Sequence, residues 1–281
     1  MTIGHDDTSH AAAAGDLRAL AVDLATRAGA LAHEGRQRLG VGQPMAHDTK
    51  STPTDPVTEF DRAAEALIVD TLRARRPDDS IVGEEGAEHA GSSGLEWHID
   101  PIDGTANFVY DLPAWGTSVA VVDVHGPLAG AVFAPVTNEL YSAARGAGAT
   151  LNDATIQCSS VSRLAAALIG TGFNYSPATR SRQARRLAAL LPQVRDMRRY
   201  GSAALDLCMV ASGRLDAYFE EHLNSWDLAA GVLIAAEAGA ITSDFHGGPA
   251  GSEATVAAAP DIHAALLELL ARTDAATLHD E

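Results

Sequence analysis

The sequence predicts an α/β (α+β layered) fold, in which helices cover β-sheets. Helical periodicity dominates the chain up to about residue 76, β-rich runs fill residues 80–143, and strands alternate with helices from about residue 166 onward. The chain has 281 residues, of which 46% are hydrophobic. It is therefore long and apolar enough to form one large domain or two closely packed halves.

Two helices are predicted before the first strand. Leucines and alanines recur at helical spacing in residues 16–39, with Asp16 as the N-cap, and the polar residues 1–15 predict a disordered tail. A second helix begins after Thr58, which forms a capping-box pattern with Asp61. It should end at the Arg-Pro pair that follows its last apolar turn, because proline cannot continue a helix.

The segment between these helices, residues 41–56, is rich in Gly, Pro, Ser, Thr and Asp. It includes Lys50 and Asp55 and is too polar to be buried for packing alone. A solvated linker is one interpretation. Loops of this kind also serve as mobile lids over binding sites, so the local sequence leaves both interpretations open.

The middle of the chain predicts strands joined by short turns. They cover residues 80–83, 97–100, 116–124, 128–134 and 139–143. A glycine-rich break follows at residues 145–149. We expect a single catalytic domain over residues 16–275, with two subdomains at about 16–155 and 156–275.

The second half alternates between strands and helices. The predicted strands are residues 166–171, 197–200, 215–220, 240–243 and 254–259, and the predicted helices are residues 177–191, 201–212, 226–238 and 261–271. Such alternation is typical of a sheet covered by helices.

The central stretch of the sequence places carboxylates directly after a strand. The strand ends in Asp100 and should stop at Pro101, because proline donates no hydrogen bond to a sheet. Asp103, Gly104 and Thr105 then predict a tight turn that opens a short helix. Gly104 would allow the backbone to approach a ligand closely.

Two aspartates so close together on a rigid turn repel each other unless a positive charge lies between Asp100 and Asp103. Mg²⁺ would fit, since it prefers oxygen ligands and often shares them with a phosphate. Alternatively, both side chains cap backbone amides of an ordinary Asp/Gly turn. This stretch alone does not decide between a metal site and a turn.

Carboxylates recur at the ends of other predicted elements. The full set is Glu84, Asp100, Asp103, Glu220 and Asp227. One of them, Asp227, follows the predicted N-cap Ser225, and the helix dipole alone would favour an aspartate there. Five converging carboxylates would repel each other unless cations were bound, so the pattern favours a phosphate site with several metal ions.

Charge and hydropathy limit the classes of partner. The net charge is −17, from 20 Lys and Arg against 37 Asp and Glu, which argues against a nucleic acid partner because phosphate backbones need basic surfaces. No apolar run approaches the roughly 20 residues of a membrane span. The first residues also lack the pattern of a secretory signal. We therefore expect a cytoplasmic protein without a membrane partner.

The cysteines and histidines predict no metal chemistry. Cys158 and Cys208 form no CxxC motif, and we expect both to be reduced. The 11 histidines form no cluster with the spacing of zinc ligands. We expect His98 to be a packed or exposed strand residue and not a ligand.

Four stretches together resemble the magnesium-dependent, lithium-sensitive inositol monophosphatases. They are Gly83-Glu84-Glu85, Asp100-Pro101-Ile102-Asp103-Gly104-Thr105, Gly201-Ser202-Ala203-Ala204, and Trp226-Asp227 with the following Ala229-Ala230-Gly231 and Glu237-Ala238-Gly239. The resemblance runs from about residue 16 to about residue 272 and is strongest to the actinobacterial SuhB-type branch. It implies a five-layered αβαβα sandwich with the metal site at the junction of the two halves.

The resemblance also implies ligands for two or three Mg²⁺ per active site. They are Glu84, Asp100, the backbone carbonyl of Ile102, Asp103 and Asp227. It implies catalytic roles for Glu84 and for Thr105, which together with Asp55 would orient the attacking water. Lys50 matches a residue of the flap loop. We expect that loop, residues 41–56, to close when Mg²⁺ binds, because Lys50 and Asp55 would gain partners only then.

Substrate contacts follow from the same resemblance. The residues implied are Asp103, Gly104, Thr105, Gly201, Ser202, Ala203, Glu220 and Asp227. The amides of Gly104 and Thr105 would hold phosphate oxygens, and Glu220 would contact sugar hydroxyls. The implied reaction is hydrolysis of a small phosphate monoester, myo-inositol 1-phosphate, by a homodimer.

Two alternatives to this reaction stay open in the sequence. One is the same chemistry on histidinol phosphate, fructose 1,6-bisphosphate or adenosine 3′,5′-bisphosphate, for which Arg198 and Arg199 would offer extra positive charge. The other is a dimeric scaffold that has lost its activity. A lost metal carboxylate would mark such a scaffold, and the sequence retains all of them.

Overall fold

The computed structural model describes residues 6–50 and 55–277 of the chain, with side chains described within residues 14–50 and 55–273. Helix α1 spans Asp6–Leu39, so it begins ten residues before the predicted N-cap Asp16. Part of the predicted tail, residues 6–15, is therefore helical, and its first five residues lie outside the described part. Four consecutive alanines, residues 11–14, explain the early start, since alanine has the highest helix propensity.

Helix α2, Glu59–Arg75, confirms the predicted capping box. The Thr58 hydroxyl accepts the backbone N–H of Asp61, and the Asp61 carboxylate accepts the N–H of Thr58 at 2.8 Å. Before it, strands β1 (Asp48–Thr49) and β2 (Pro56–Val57) pair as an antiparallel hairpin. The segment predicted to be a loop thus contains a hairpin, whose residues 51–54 lie outside the described part.

The first large sheet has eight strands and begins with the predicted strand at residue 80. The strands are β3 Ser80–Gly83, β4 Glu88–His89, β5 Glu96–Asp103, β6 Gly116–Asp123, β7 Gly126–Ala134, β8 Glu139–Ala144, β9 Ala149–Leu151 and β10 Ala154–Thr155, in the order β10-β9-β8-β7-β6-β5-β3-β4. The short strands β4, β9 and β10 were not predicted. They contain two or three residues each, too few for a periodic pattern.

Strand β5 does not stop at Pro101, and that prediction is wrong. It continues to Asp103, and its register with β6 shifts between Asp100 and Asp103. The irregularity accommodates the missing N–H of proline, since bulges are where sheets tolerate it. The Thr117 hydroxyl donates to the Pro101 carbonyl at 2.8 Å. Asp103 then leads directly into the short helix α3, Thr105–Val109, as predicted.

The second sheet has five strands and mixes parallel with antiparallel pairs. Its strands are β11 Leu168–Thr171, β12 Asp196–Arg198, β13 Ala217–Glu221, β14 Ile241–Ser243 and β15 Ala254–Ala258, in the order β12-β11-β13-β15-β14. The accompanying helices are α4 Pro177–Leu190, α5 Ala203–Ala211, α6 Ser225–Glu237 and α7 Pro260–Thr277.

These elements stack in five layers, which confirms the predicted αβαβα sandwich. Helices α1 and α2 pack on the outer face of the first sheet, through residues such as Leu24 and Ile68. Helices α5 and α6 lie between the two sheets and share one core with Val132 on one side and Tyr218 on the other. Helices α4 and α7 cover the second sheet through a third core that includes Leu266.

Within the described residues, no helix combines the length and the apolar character that a membrane span requires. The longest helix, α1, has 34 residues but carries charged residues throughout.

Candidate active site

The carboxylates that were predicted to converge line one cavity of about 350 Å³. The predicted residues on its wall are Asp55, Glu84, Asp100, Ile102, Asp103, Gly104, Thr105, Gly201, Ala203, Glu220 and Asp227. Strand ends supply most of them, and α6 supplies Asp227 from its first turn. Two other predicted residues contact these carboxylates without lining the cavity. Lys50 contacts Glu84, and the Ser202 hydroxyl donates to Asp103.

Three carboxylates form the centre of the site. One oxygen each of Asp100, Asp103 and Asp227 lies within 4.8 Å of the other two. Burial raises the pKa of Asp100 well above its ordinary value, and the charges of Glu84 and Asp103 raise it further. Burial likewise raises the pKa of Asp227. The pKa of Asp103 rises to about 6, because burial outweighs the hydrogen bonds that this carboxylate accepts.

Each of these three carboxylates is held by a hydrogen bond from the backbone. Asp100 accepts the N–H of Ile102 at 3.0 Å, and Asp103 accepts the N–H of Ala204 at 2.7 Å. Asp103 also accepts the hydroxyl of Ser202 at 2.5 Å. Ser202 is buried and caps α5, so its position suits holding Asp103 in place.

Helix α6 is capped differently from the prediction. Its N-cap is Asn224 and not Ser225, and Asp227 accepts the backbone N–H of Asn224 at 2.6 Å. The Ser225 hydroxyl instead lies 2.8 Å from Nδ1 of His98. His98 is buried in β5, so this contact links the strand that carries Asp100 to the helix that carries Asp227.

Lys50 reaches the site from the β1–β2 hairpin. Its ammonium group lies 2.9 Å from Glu84 Oε1 and 2.5 Å from Glu85 Oε1. These two carboxylates raise the pKa of Lys50, against the opposite effect of its burial. Lys50 therefore contacts both carboxylates, and closure of this loop on Mg²⁺ binding stays a prediction. Glu84 keeps its second oxygen, Oε2, buried and without a hydrogen-bond partner in the described part of the chain.

A further aspartate, Asp61, lies beside the Thr105 hydroxyl. The Thr105 hydroxyl lies 3.3 Å from Asp61 Oδ1 and 3.0 Å from the carbonyl oxygen of Ile102. Asp55, which the resemblance implies acts together with Thr105, lines the same cavity, and its part in orienting the water stays a prediction. Burial raises the pKa of Asp61 to about 6.

Sequence reasoning missed the contact between Asp61 and Thr105 because the capping box already explained an aspartate at that position. Its complete burial is the signal that separates it from an ordinary cap, and burial at a helix start is not visible in the sequence.

Glu220 occupies the far side of the cavity, at the end of β13. Tyr218 donates its hydroxyl to Glu220 Oε2 at 2.5 Å. Burial raises the pKa of Glu220 to about 7. Glu220 does not belong to the central cluster of Asp100, Asp103 and Asp227, but it lines the same cavity.

The donor set fits a hard divalent cation. All the converging side chains offer carboxylate oxygens, which Mg²⁺ prefers, and no histidine or cysteine belongs to the cluster among the described residues. Oε2 of Glu84 has no hydrogen-bond partner among the described residues, and the pKa values of Asp100 and Asp227 are raised by burial and by neighbouring carboxylates. A cation bound between these carboxylates would supply positive charge that offsets their burial and mutual repulsion.

Comparison with known proteins identifies relatives that match most of the chain. The model of the "Inositol monophosphatase family" matches residues 15–278. The chain is 48% identical over 272 residues to the inositol-1-monophosphatase of Mycobacterium leprae, covering 91% of this chain and 94% of that protein. It is also 44% identical over 202 residues to the Nus factor SuhB of Vibrio cholerae, covering 71% of this chain and 76% of that protein.

The fold agrees with these sequence matches. The solved structure of Mycobacterium tuberculosis SuhB superposes with a TM-score of 0.79 at 44% identity, covering 92% of this chain and 97% of that one. Both the carboxylate cavity and the five-layered sandwich are thus found in a chain that resembles these proteins over nearly its full length. This chain is therefore a phosphatase that belongs to the inositol monophosphatase family.

Proposed function

We propose that the protein is a Mg²⁺-dependent inositol-1-monophosphatase, which hydrolyses myo-inositol 1-phosphate to myo-inositol and phosphate. The observation that carries this proposal is the cluster of Asp100, Asp103 and Asp227 oxygens within 4.8 Å of one another in a ligand-sized cavity. The name of the Mycobacterium leprae relative supports the choice of substrate.

Asp100, Asp103, Asp227, Glu84 and the carbonyl of Ile102 would hold two or three Mg²⁺. The bound ions would supply positive charge that polarises the phosphoryl group and would lower the pKa of a water molecule, so that hydroxide is available as the nucleophile at neutral pH. The chain would contribute the spacing of the ligands, because backbone hydrogen bonds from Ile102 and Ala204 fix the orientation of two of the carboxylates.

Thr105 and Asp61 would orient the attacking water. The Thr105 hydroxyl donates its hydrogen towards Asp61 or the Ile102 carbonyl, so its lone pairs stay available to accept a hydrogen bond from water. A water molecule held in this way would face the phosphorus atom from a fixed direction. Such positioning accounts for a large part of phosphoryl-transfer catalysis.

Gly104 and Glu220 would contact the two ends of the substrate. Gly104 has a φ of 95°, and a Cβ there would lie 3.0 Å from the Ala114 carbonyl oxygen, so this turn requires glycine. The amides of Gly104 and Thr105 would hold phosphate oxygens. Glu220 would accept hydrogen bonds from inositol hydroxyls, supported by the hydroxyl of Tyr218.

The remaining expectations from the sequence belong with this proposal. Inhibition by Li⁺, a homodimeric state and a cytoplasmic location stay predictions. A scaffold without activity is disfavoured, because the carboxylates that a metal needs are all present and meet in one cavity.

The direct test is phosphate release from myo-inositol 1-phosphate as a function of Mg²⁺ concentration. We expect no turnover in EDTA, full turnover after Mg²⁺ is restored, and no turnover for Asp100→Asn at any Mg²⁺ concentration. Asp70→Asn, an exposed change on α2, is the matched control and should behave as wild type. Activity that persists in EDTA, or in Asp100→Asn, would contradict the proposal.

A further inference from the structure

Three polar side chains link the strand and the helix that carry two of the clustered aspartates. His98 lies in β5, two residues before Asp100, and Ser225 is the first residue of α6, two residues before Asp227. Nδ1 of His98 lies 2.8 Å from the Ser225 hydroxyl, and Nε2 of His98 lies 3.0 Å from Glu96 Oε1. These contacts therefore span the gap between β5 and α6 beside the carboxylates.

The direction of these hydrogen bonds follows from the chemistry of the three groups. The Glu96 carboxylate can only accept, so Nε2 of His98 carries the hydrogen in that contact. In the neutral ring Nδ1 is then an acceptor, and the Ser225 hydroxyl donates to it. The side chain of His98 is 9% exposed and that of Glu96 is 42% exposed. A carboxylate at the surface thus fixes a buried ring in the orientation that meets Ser225.

A second hydrogen bond holds the same helical turn on the same sheet. The Ser118 hydroxyl donates to the Trp226 carbonyl at 3.2 Å. Ser118 lies on β6 directly opposite Asp100, and Trp226 immediately precedes Asp227 in the chain. Two consecutive residues of the first turn of α6 are therefore attached to β5 and β6, next to the aspartate that α6 contributes to the site.

The attachment opposes a repulsion within the site. One oxygen each of Asp100, Asp103 and Asp227 lies within 4.8 Å of the other two. Like charges at such a distance repel each other more strongly in a buried site than in water, because the effective dielectric constant is lower. Asp100 and Asp103 share β5, whose backbone sets their spacing. Asp227 belongs to a separate element, so the repulsion acts to move α6 away from β5.

We propose that His98 and Ser225 are positioning residues that hold Asp227 at ligand distance from Asp100 and thereby set the affinity of the site for Mg²⁺. Ligands that are already in place bind a cation more tightly, because no part of the binding free energy is used to bring repelling groups together. This inference rests on the proposed Mg²⁺ dependence and adds residues that contact neither the cation nor the substrate.

A positioning role differs measurably from a purely structural one. A structural hydrogen bond would stabilise the protein equally with and without Mg²⁺. A positioning hydrogen bond keeps repelling carboxylates together in the metal-free protein, so its loss is partly offset there by relief of the repulsion. The offset disappears once Mg²⁺ is bound. Loss of the bond between His98 and Ser225 should therefore weaken Mg²⁺ binding more than it lowers the Tm in EDTA.

The experiment measures the dissociation constant of Mg²⁺ from the rise in Tm with Mg²⁺ concentration, without substrate and at neutral pH. Ser225→Ala should raise this constant roughly three- to ten-fold, the effect of about one hydrogen bond, with the Tm in EDTA near that of wild type. Ser225→Thr keeps the hydroxyl and should retain the wild-type constant. The double variant of Ser225→Ala and His98→Leu should lose no more affinity than His98→Leu alone, because both substitutions remove the same bond. Ser160→Ala, at an exposed serine outside the cavity wall, is the matched control and should behave as wild type.

The outcomes separate this inference from the proposed function. An unchanged dissociation constant in Ser225→Ala, or a loss of Tm that is equal in EDTA and in Mg²⁺, would overturn the inference and leave the proposed function intact. Phosphate release from myo-inositol 1-phosphate judges the proposed function separately. If wild type bound Mg²⁺ but released no phosphate, the proposed function would fail, and the dissociation constant of Ser225→Ala would still decide the inference.

Discussion

Removing one of the crowded carboxylates should stabilise the metal-free protein. The substitution Asp103→Asn keeps the shape of the side chain and removes its charge. Asp103 has an ordinary pKa of 3.8 and a folded pKa of about 6. A difference of about two in pKa means that the ionised carboxylate destabilises the fold by roughly 3 kcal/mol at neutral pH.

Part of this gain is offset by weaker hydrogen bonds. Ser202 and Ala204 both donate to the same oxygen, Oδ2 of Asp103, and an asparagine carbonyl oxygen could still accept both. Replacing a charged acceptor with a neutral one costs about 1 kcal/mol. We therefore expect a net stabilisation of about 1–2 kcal/mol, which raises the Tm by roughly 2–8 °C.

The assay is thermal unfolding in EDTA at several pH values. Because the folded pKa of Asp103 is raised, its contribution to wild-type stability is fully present below pH 3.8 and is lost as pH rises to about 6. The advantage of Asp103→Asn should therefore grow between about pH 4 and pH 6 and stay constant above. Asp70→Asn should show no such pH dependence. An Asp103→Asn variant that melts below wild type at pH 7.5, or whose advantage ignores pH, would refute the reasoning.

Three further predictions concern catalysis and the flap. Asp61→Asn should lower kcat by roughly 100-fold through lost orientation of the attacking water, and a larger loss for Asp55→Asn would instead support the pairing we drew from the sequence. Lys50→Met removes the ammonium group next to Glu84, so amide hydrogen exchange at the described hairpin residues should become faster. Unchanged exchange rates would show that the contact between Lys50 and Glu84 does not stabilise the hairpin. Glu220→Gln should lower kcat/KM for inositol 1-phosphate by roughly ten-fold but much less for p-nitrophenyl phosphate, whereas equal losses would show that Glu220 serves the metal site.

Local features of the fold followed directly from the sequence. The capping box of Thr58 and Asp61, the strand at Ser80–Gly83 and the helix at Pro177–Leu190 each depend on neighbouring residues, and the structure has them within a residue of the prediction. The five-layered arrangement followed from the family resemblance and not from periodicity. Elements of two or three residues, such as β9 and β10, carried no periodic signal and were missed.

The sequence by itself determined the carboxylates of the site, since most of them lie where a strand or helix begins or ends and are therefore placed by local structure. Asp100 is the exception, because it lies within β5, three residues before the end of that strand. Only the tertiary structure decided their partners. Thr105 meets Asp61 across 44 residues, and Asp103 meets Ser202 across 99. Contacts between residues so far apart in the sequence depend on how sheets and helices pack, and a local sequence pattern does not reveal that packing. The same reason explains the strand through Pro101, where a register shift against β6 overrode the local signal to stop.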